Sequence, residues 1–121
     1  MKLLLRKATV LDANSDFHDQ SVDLIIDDGK VVKIGTDLSV ENATVITSDN
    51  LHVSIGWMDV GAVATDPGLE YKETLETLRL VAAAGGFTDI TTTPNTKPIV
   101  QDKSTIHYLK QGNSSSTVNI H

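Results

Sequence analysis

Cysteine is missing from the 121-residue sequence. Its absence excludes a disulfide framework, a thiolate metal site and a cysteine nucleophile, and it fits a reducing compartment. Basic side chains are scarce as well, because ten Lys and Arg stand against sixteen Asp and Glu, for a net charge of -6. Binding to nucleic acid needs a basic surface that neutralises phosphates, so we expect no nucleic-acid partner.

Long apolar runs are also lacking. Residues 1–7 contain three consecutive leucines, but a basic pair follows at once. This run is too short for a signal peptide or for a membrane span. We therefore expect a cytoplasmic protein without a membrane partner.

The composition itself is that of a folded globular chain, with 40% hydrophobic and 21% charged residues. Residues 1–54 read as short strands, two of them joined by Asp28-Gly29, a pair that favours a tight hairpin turn. We predict a small antiparallel β unit here. Its expected strands are Leu3 to Leu11, Val22 to Ile26, Lys30 to Ile34, Ala43 to Thr47 and His52 to Ser54.

The central stretch of the chain is Ile55 to Gly68, which predicts a short buried strand, a loop and then a helix. The helix is indicated by apolar residues at helical spacing, by carboxylates at its front, and by Gly85-Gly86 at its end. The apolar stripe consists of Tyr71, Leu75, Leu78 and Ala82, widened by Val81; the carboxylates are Glu70, Glu73 and Glu76.

Residues 87–121 predict a strand over Phe87 to Thr92, a helix over Asp102 to Gln111 and a strand over Thr117 to Ile120. Strands that alternate with helices indicate parallel pairing with right-handed crossovers. A closed eightfold barrel needs about 250 residues. We therefore expect a piece of a longer protein, or else a chain that covers its open edge by self-association.

Several segments resemble one family in the right order. Gly56 to Asp59 is similar to the Pro-Gly-Phe-Ile-Asp of dihydroorotases, in the amidohydrolase superfamily, and Asp66-Pro67-Gly68 is similar to their Glu-Pro-Gly. Tyr71 to Thr77, Ala82 to Thr88 and Pro94 to Pro98 are further matches. The resemblance is to the N-terminal portion of that family. It implies an α/β fold with a partial β-sandwich over 1–54 and the first β-α-β-α-β units of a TIM-like (β/α)8 barrel over 55–121.

The resemblance also implies a chemistry, the hydrolysis of a cyclic amide by two zinc ions that share a hydroxide. The family's first ligands lie in an Asp-x-His-x-His motif. Here Asp59 is kept, Gly61 and Val63 take the histidine positions, and Thr65 takes the position of an Arg that binds the substrate carboxylate. We expect no metal site and no cofactor in this chain, whereas the family uses zinc.

Asn95 matches the family's Asn that helps to hold the substrate carboxylate. An Asn in a proline-flanked turn is also ordinary loop chemistry. The loop interpretation is slightly favoured, because the Arg partner is missing.

The other polar candidates have simpler structural interpretations. We interpret the histidines as residues of turns, element boundaries or strand ends, with no ligand role, and Asp66 as a turn residue. Asp59 is expected to form structural hydrogen bonds, and the Thr91–Thr93 run fits strand propensity better than catalysis. The histidines are His18, His52, His107 and His121.

Two functions from different classes remain. One is a non-catalytic, dihydroorotase-like subunit of pyrimidine biosynthesis, for which the resemblance implies aspartate carbamoyltransferase as the partner. The other is an active cyclic amidohydrolase that interconverts dihydroorotate and carbamoyl-aspartate with metal ligands from the rest of the protein. A sensor that uses the vacated barrel mouth is a third possibility.

Overall fold

The computed structural model describes all residues from Met1 to His121. Their contacts divide the chain into two compact units, Met1–Ile55 and Gly56–His121. The division falls one residue after the boundary drawn from the sequence.

The first unit is one five-stranded sheet. Its strands are β1 (Lys2–Leu11), β2 (Ser21–Asp27), β3 (Lys30–Gly35), β4 (Thr44–Ile46) and β5 (His52–Ser54). Strand β1 is central. Strand β2 pairs antiparallel with β1 and with β3, whereas β4 and β5 both pair parallel to β1, so the prediction of an antiparallel unit is wrong for these two strands. Residues 36–43 return the chain to the end of the sheet where β1 begins, so β4 runs in the direction of β1.

The predicted β2–β3 hairpin is confirmed. Asp28 and Gly29 both have positive φ, at 50° and 77°, which is the geometry that a two-residue hairpin turn requires. Strand β2 is buried from Val22 to Ile25. Because successive side chains point to opposite faces, its residues enter two separate apolar clusters, one with Leu24 and one with Ile25.

A buried carboxylate fixes an irregularity in β1. The β1–β2 register shifts between Leu5 and Ala8, and Lys7 there has φ 51°. Asp23 accepts hydrogen bonds from Arg6 Nη1 at 2.7 Å, from the Lys7 backbone N at 2.9 Å and from the Leu38 backbone N at 3.0 Å. Burial alone would raise the pKa of Asp23, but these hydrogen bonds outweigh it and hold the pKa below its usual value.

The second unit is a three-stranded sheet with two helices. Its elements are β6 (Trp57–Ala62), α1 (Leu75–Ala84), β7 (Phe87–Thr92), α2 (Lys103–Leu109), a 3-10 turn (Asn113–Ser115) and β8 (Asn119–Ile120). The strand order is β6-β7-β8, and the pairing is parallel, as predicted from the sequence. The apolar core lies between the sheet and the helices and includes Leu75, Ile90, Leu109 and Ile120.

Strand β6 is not buried, contrary to the prediction. Trp57, Met58 and Val60 are 57%, 56% and 78% exposed. The strand lies at the edge of its sheet with β7 as its one neighbour. The core on the helix side instead receives the small side chains of Ala62 and Ala64.

Helix α1 begins later than predicted. Its N-cap is Thr74, whose hydroxyl accepts from Thr77 N while the Thr77 hydroxyl accepts from Thr74 N. This capping box stops the helix from extending back toward Gly68, so Glu70 and Glu73 precede the helix and only Glu76 lies in its first turn. Tyr71 and Val81, both placed on the apolar stripe, are exposed.

The end of α1 is as predicted, because Gly86 adopts φ 85° directly after the Gly85 cap. Helix α2 is shorter than predicted, with Asp102 as its N-cap. Strand β8 is also shorter, since only two residues reach the ladder with β7. No helix in the structure has the length and apolarity that a membrane crossing requires.

Candidate functional site

The end of β6 carries Gly61 and Val63, the positions that the family resemblance assigns to histidine ligands. Gly61 has φ 100° and lies in a register irregularity, because Val60 pairs with Thr91 and Ala62 with Thr92. The Gly61 amide donates to Thr91 Oγ1 at 3.1 Å. A Cβ at Gly61 would meet no atom within 4 Å, but the φ angle disfavours any L side chain. The backbone there is bulged rather than regularly alternating.

Neither Gly61 nor Val63 offers a side-chain electron pair to a metal. Val63 is half-exposed and aliphatic. Thr65 has a hydroxyl, but this group donates to the Glu73 backbone carbonyl at 2.8 Å. The hydroxyl of Thr65 is therefore already hydrogen-bonded within the chain. It joins the loop after β6 to the residues just before α1.

The carboxylate of Asp59 is exposed and forms no hydrogen bond. The prediction that the side chain of Asp59 forms structural hydrogen bonds is therefore wrong. Its backbone pairs with Ile90 in the sheet, and its carbonyl also accepts from the Thr91 hydroxyl at 3.5 Å.

Asp66 has a larger role than the turn residue expected from the sequence. It is 6% exposed; Oδ2 accepts from Leu75 N at 3.0 Å, and Oδ1 accepts from the Tyr108 hydroxyl at 2.7 Å. The hydrogen bond to Asp66, together with burial, raises the pKa of Tyr108 above its ordinary value. The sequence gives no indication of this contact, because its partners are 42 positions apart.

The loops after β6 and β7 lie against each other. Lys97 N donates to the Pro67 carbonyl at 3.0 Å. A Cβ on Gly68 would collide with the Lys97 carbonyl oxygen. Glycine is needed at position 68 because the two backbones approach closely and because its φ is 102°.

Asn95 lies in the loop after β7 and is exposed. Its Oδ1 accepts from the Thr93 hydroxyl at 2.9 Å, a local loop hydrogen bond. This contact matches the ordinary loop interpretation of Asn95. Substrate binding by its amide group stays a prediction.

A His–Asp pair that the sequence did not indicate links β7 to the residue after β8. His121 Nε2 lies 2.8 Å from Asp89 Oδ1, and Asp89 also accepts from the Thr88 hydroxyl at 2.9 Å and from Asn119 Nδ2 at 3.3 Å. The hydrogen bond from His121, followed by that from Thr88, lowers the pKa of Asp89. Parallel strands placed side by side bring these residues together.

The remaining histidines lie apart from one another. His18 faces Asp19 at 3.4 Å in a loop, His52 contacts the Asn50 carbonyl, and His107 lies in the last turn of α2. No three His, Asp or Glu side chains are grouped so that they could hold a metal ion.

Comparison with known proteins was made at the levels of family, sequence and structure. No family model matches the chain. The dihydroorotase of Streptococcus pneumoniae is 34% identical over 118 residues, which covers 98% of this chain and 28% of that protein. The dihydroorotase of Clostridioides difficile is 36% identical over 119 residues, again with 98% and 28% coverage. The chain is a relative of the dihydroorotases. It spans about a quarter of the length of these relatives.

Solved structures of amidohydrolases have the same fold as this dihydroorotase relative. An L-hydantoinase (dihydropyrimidinase) from Arthrobacter aurescens matches 98% of this chain and 26% of its own, with a TM-score of 0.77 and 22% identity. A dihydroorotase matches 98% of this chain and 30% of its own, with a TM-score of 0.65 and 18% identity. The predicted fold class is confirmed: part of an amidohydrolase, with a partial β-sandwich followed by the first units of a TIM-like barrel.

Amidohydrolases are generally metal-dependent, and a pair of metal ions needs donor side chains that this dihydroorotase relative lacks at the end of β6. Gly61 and Val63 take the positions of the family's two histidine ligands, and their side chains are a hydrogen atom and an isopropyl group. Zinc in such sites needs imidazole, thiolate or carboxylate donors. The residues at the end of β6 do not fit a zinc pair.

Proposed function

We propose that this chain is part of a non-catalytic, dihydroorotase-like protein of pyrimidine biosynthesis that serves as a structural subunit. The observation that carries this proposal is the pair Gly61 and Val63 at the end of β6. Two imidazoles at these positions would fix a metal and tune the pKa of its bound water. Without them, the metal loses donors that no neighbouring side chain in this chain replaces.

The backbone supports the same conclusion. Gly61 adopts φ 100°, a conformation that L side chains rarely take. A histidine at position 61 would therefore have to adopt this unfavourable φ or change the local backbone. One substitution would not recreate the ligand geometry.

The supporting framework around this strand end is intact. Asp66 accepts hydrogen bonds from the Leu75 amide at the start of α1 and from the Tyr108 hydroxyl. Thr65 donates to the Glu73 carbonyl, and Gly68 packs against Lys97. A chain that keeps these loop contacts but lacks metal-binding side chains is suited to a structural role in an assembly. In this proposal the partner is aspartate carbamoyltransferase, which forms the carbamoyl-aspartate that a dihydroorotase cyclises.

The alternative is an active dihydroorotase-type enzyme whose metal ligands come from the rest of the protein. The observation that favours it is the pair Asp89 and His121 on neighbouring strands. His121 uses Nε2 to contact Asp89 and leaves Nδ1 without a hydrogen bond. A histidine oriented by a carboxylate is an arrangement that metal sites and acid–base sites both use.

Metal analysis of the full-length protein, combined with a dihydroorotate ring-opening assay, separates the two candidates. We expect substoichiometric zinc and no turnover above the uncatalysed rate. Stoichiometric zinc together with turnover would overturn the non-catalytic proposal and support the alternative.

Native mass measurement tests the proposed partner. The full-length protein is mixed with aspartate carbamoyltransferase at micromolar concentration, and a complex of the summed mass is expected. Two unshifted species would reject aspartate carbamoyltransferase as the partner, whatever the metal analysis shows.

A further inference from the structure

A second site lies on the side of the parallel unit remote from the end of β6. Residues 110–118 connect α2 to the amino end of β8, whereas Gly61 and Val63 lie at the carboxyl end of β6. Between α1 and this connection is a cavity of about 480 Å³, a size suited to a small molecule. Its lining consists of Glu76, Arg79, Leu80, Gly112, Ser115, Ser116 and Thr117.

Arg79 is the cation of this cavity, and it forms no ion pair. Its Nη2 donates to three acceptors of the connection: the Leu109 carbonyl at 3.3 Å, Asn113 Oδ1 at 3.0 Å and the Gln111 carbonyl. These contacts hold the guanidinium in one orientation but neutralise none of its charge. Its Nε is buried without a partner, and its Nη1 donates no hydrogen bond.

Partial burial makes that uncompensated charge costly. Desolvation lowers the pKa of Arg79 from its ordinary value. An anion beside Nη1 would restore the electrostatic stabilisation that water gives an exposed guanidinium. A rigidly held, unpaired guanidinium is thus ready to bind an anion with little loss of side-chain entropy.

The hydroxyl groups in the lining show where such an anion would be held. Ser115 Oγ donates its proton to the Gly112 carbonyl, whereas Ser116 Oγ accepts from Val118 N and keeps its own proton free to donate. The exposed hydroxyl of Thr117 has no partner in the chain. Arg79 Nη1 and the Thr117 hydroxyl therefore line the cavity without any partner, and the Ser116 hydroxyl is a further donor beside them.

The charge and polarity of the remaining lining indicate the class of ligand. Glu76 also lines the cavity but forms no ion pair with Arg79. Because of this carboxylate, a bound dianion would leave more excess negative charge in the cavity than a monoanion, so a monoanion meets less repulsion. Leu80, which is 63% exposed, supplies an apolar wall. We propose that this cavity binds a small molecule with a carboxylate beside an apolar group, held by Arg79 Nη1 and the hydroxyl of Thr117.

Calorimetric titration of the full chain tests this proposal, with benzoate as the amphiphilic monoanion, acetate as the carboxylate without an apolar body, and inorganic phosphate as the competing anion. We expect millimolar binding of benzoate, as is usual for such small ligands. Acetate and phosphate are expected to bind more weakly. Tighter binding of phosphate than of benzoate would overturn the carboxylate assignment, and no heat with any of the three anions would overturn the site.

Variants separate ligand binding from the structural role of Arg79. Thr117→Val removes the free hydroxyl, keeps the side-chain volume and leaves every hydrogen bond of Arg79 Nη2 in place. We expect it to weaken benzoate binding about tenfold, the usual effect of losing a hydrogen bond to a charged group. Thr117→Ser is the matched control and should bind as the wild type does.

Melting temperatures complete the test, because Arg79→Gln removes both the charge and the contacts of Nη2. That variant is expected to lose benzoate binding and to melt earlier, whereas Thr117→Val should melt with the wild type. Glu76→Gln should strengthen binding, since it removes the negative charge from the lining. Unchanged benzoate affinity in both Thr117→Val and Arg79→Gln would show that Arg79 is only a structural contact.

Discussion

The hydroxyl of Tyr108 in α2 donates a 2.7 Å hydrogen bond to Oδ1 of Asp66, in the loop that follows β6. The other oxygen of the same carboxylate accepts from the backbone of Leu75 at the start of α1. One buried side chain thus joins a loop and two helices. The loop after β6 is held by a contact between residues far apart in sequence.

Replacing Tyr108 with Phe removes this hydrogen bond but keeps the ring. We expect the free energy of unfolding to fall by about 1 kcal/mol, because a buried carboxylate oxygen loses its donor. Chemical denaturation at pH 7 measures the change. Tyr71→Phe is the matched control, since Tyr71 is exposed and its hydroxyl forms no hydrogen bond; an equal loss in both variants would contradict the prediction.

The same pair predicts an alkaline pH dependence. The pKa of Tyr108 is raised in the folded state, so its contribution to stability is complete below the ordinary tyrosine pKa of about 10 and is lost as the pH rises further. The stability difference between wild type and Tyr108→Phe should therefore shrink above that pH. A difference that stays constant through the alkaline range would show that the phenol is not linked to Asp66.

Asp23→Asn tests the carboxylate that fixes the β1 irregularity. The substitution removes the charge that faces Arg6 and one of the acceptors of the Lys7 and Leu38 amides. We expect a loss of about 2–3 kcal/mol at pH 7 by denaturation, as for other broken buried pairs. Asp27→Asn, at an exposed pair with Lys2, is the control and should show no measurable change.

The Asp23 contribution should also depend on pH in the acid range. Its folded pKa lies below its usual value, so the stabilisation is present above an unfolded-state pKa of about 3.9 and is lost as the pH falls through the folded pKa. The gap between wild type and Asp23→Asn should close over that interval. A gap that widens on acidification would contradict the assigned direction.

Position 61 tests whether the vacated ligand site can be refilled. Gly61→Ala should cost about 1 kcal/mol, although its Cβ meets no neighbour, because φ 100° is unfavourable for any L residue. Gly61→His should cost at least as much, whereas Val63→His should be tolerated at a half-exposed position. Denaturation curves of the three variants check this order, and a Gly61→Ala variant as stable as wild type would show that the bulge is not fixed.

Refilling the metal site needs a separate measurement. The triple variant Gly61→His, Val63→His, Thr65→Arg restores the side chains of the family motif but leaves the bulged backbone between them. We expect at most weak zinc binding by competition with a chelator dye. Tight, stoichiometric zinc in the full-length triple variant would show that the remaining ligands are present elsewhere and that β6 can straighten.

The Asp89–His121 pair predicts a titration that NMR can follow. The hydrogen bond from His121 is the main cause of the lowered pKa of Asp89. In His121→Gln, the pKa of Asp89 should move up toward its ordinary value, as seen in the carboxyl carbon shift during an acid titration. His18→Gln is the control and should leave Asp89 unchanged, because His18 faces Asp19 instead.

Local sequence predicted the elements that local forces control. The Asp28-Gly29 turn, strand β7 and the Gly86 end of α1 each depend on the dihedral preferences of a few adjacent residues. The start of α1 was predicted wrongly because its apolar spacing extends back to Tyr71, whereas the reciprocal Thr74–Thr77 hydrogen bonds set the boundary. A helix cap acts over three residues and overrides a pattern summed over ten or more.

The candidate sites likewise combine features that can be predicted from the sequence with contacts that arise only from the fold. The identity of residues 61, 63 and 65 is a property of the sequence, and it alone excludes histidine ligands there. The contacts of Asp66 with Tyr108, of Arg79 with Asn113 and of Asp89 with His121 join positions 30 or more apart. Such pairs follow from which strands and helices become neighbours, which no short window of sequence encodes.

The donors that this dihydroorotase relative can offer to a metal follow directly from its residue types, because side-chain chemistry does not depend on folding. The bulge at Gly61, the contact of Thr65 with Glu73 and the lack of an ion pair at Arg79 arise only in the folded chain. The reason is physical: hydrogen bonding, burial and electrostatic compensation are properties of distances between residues, and the folded chain sets those distances.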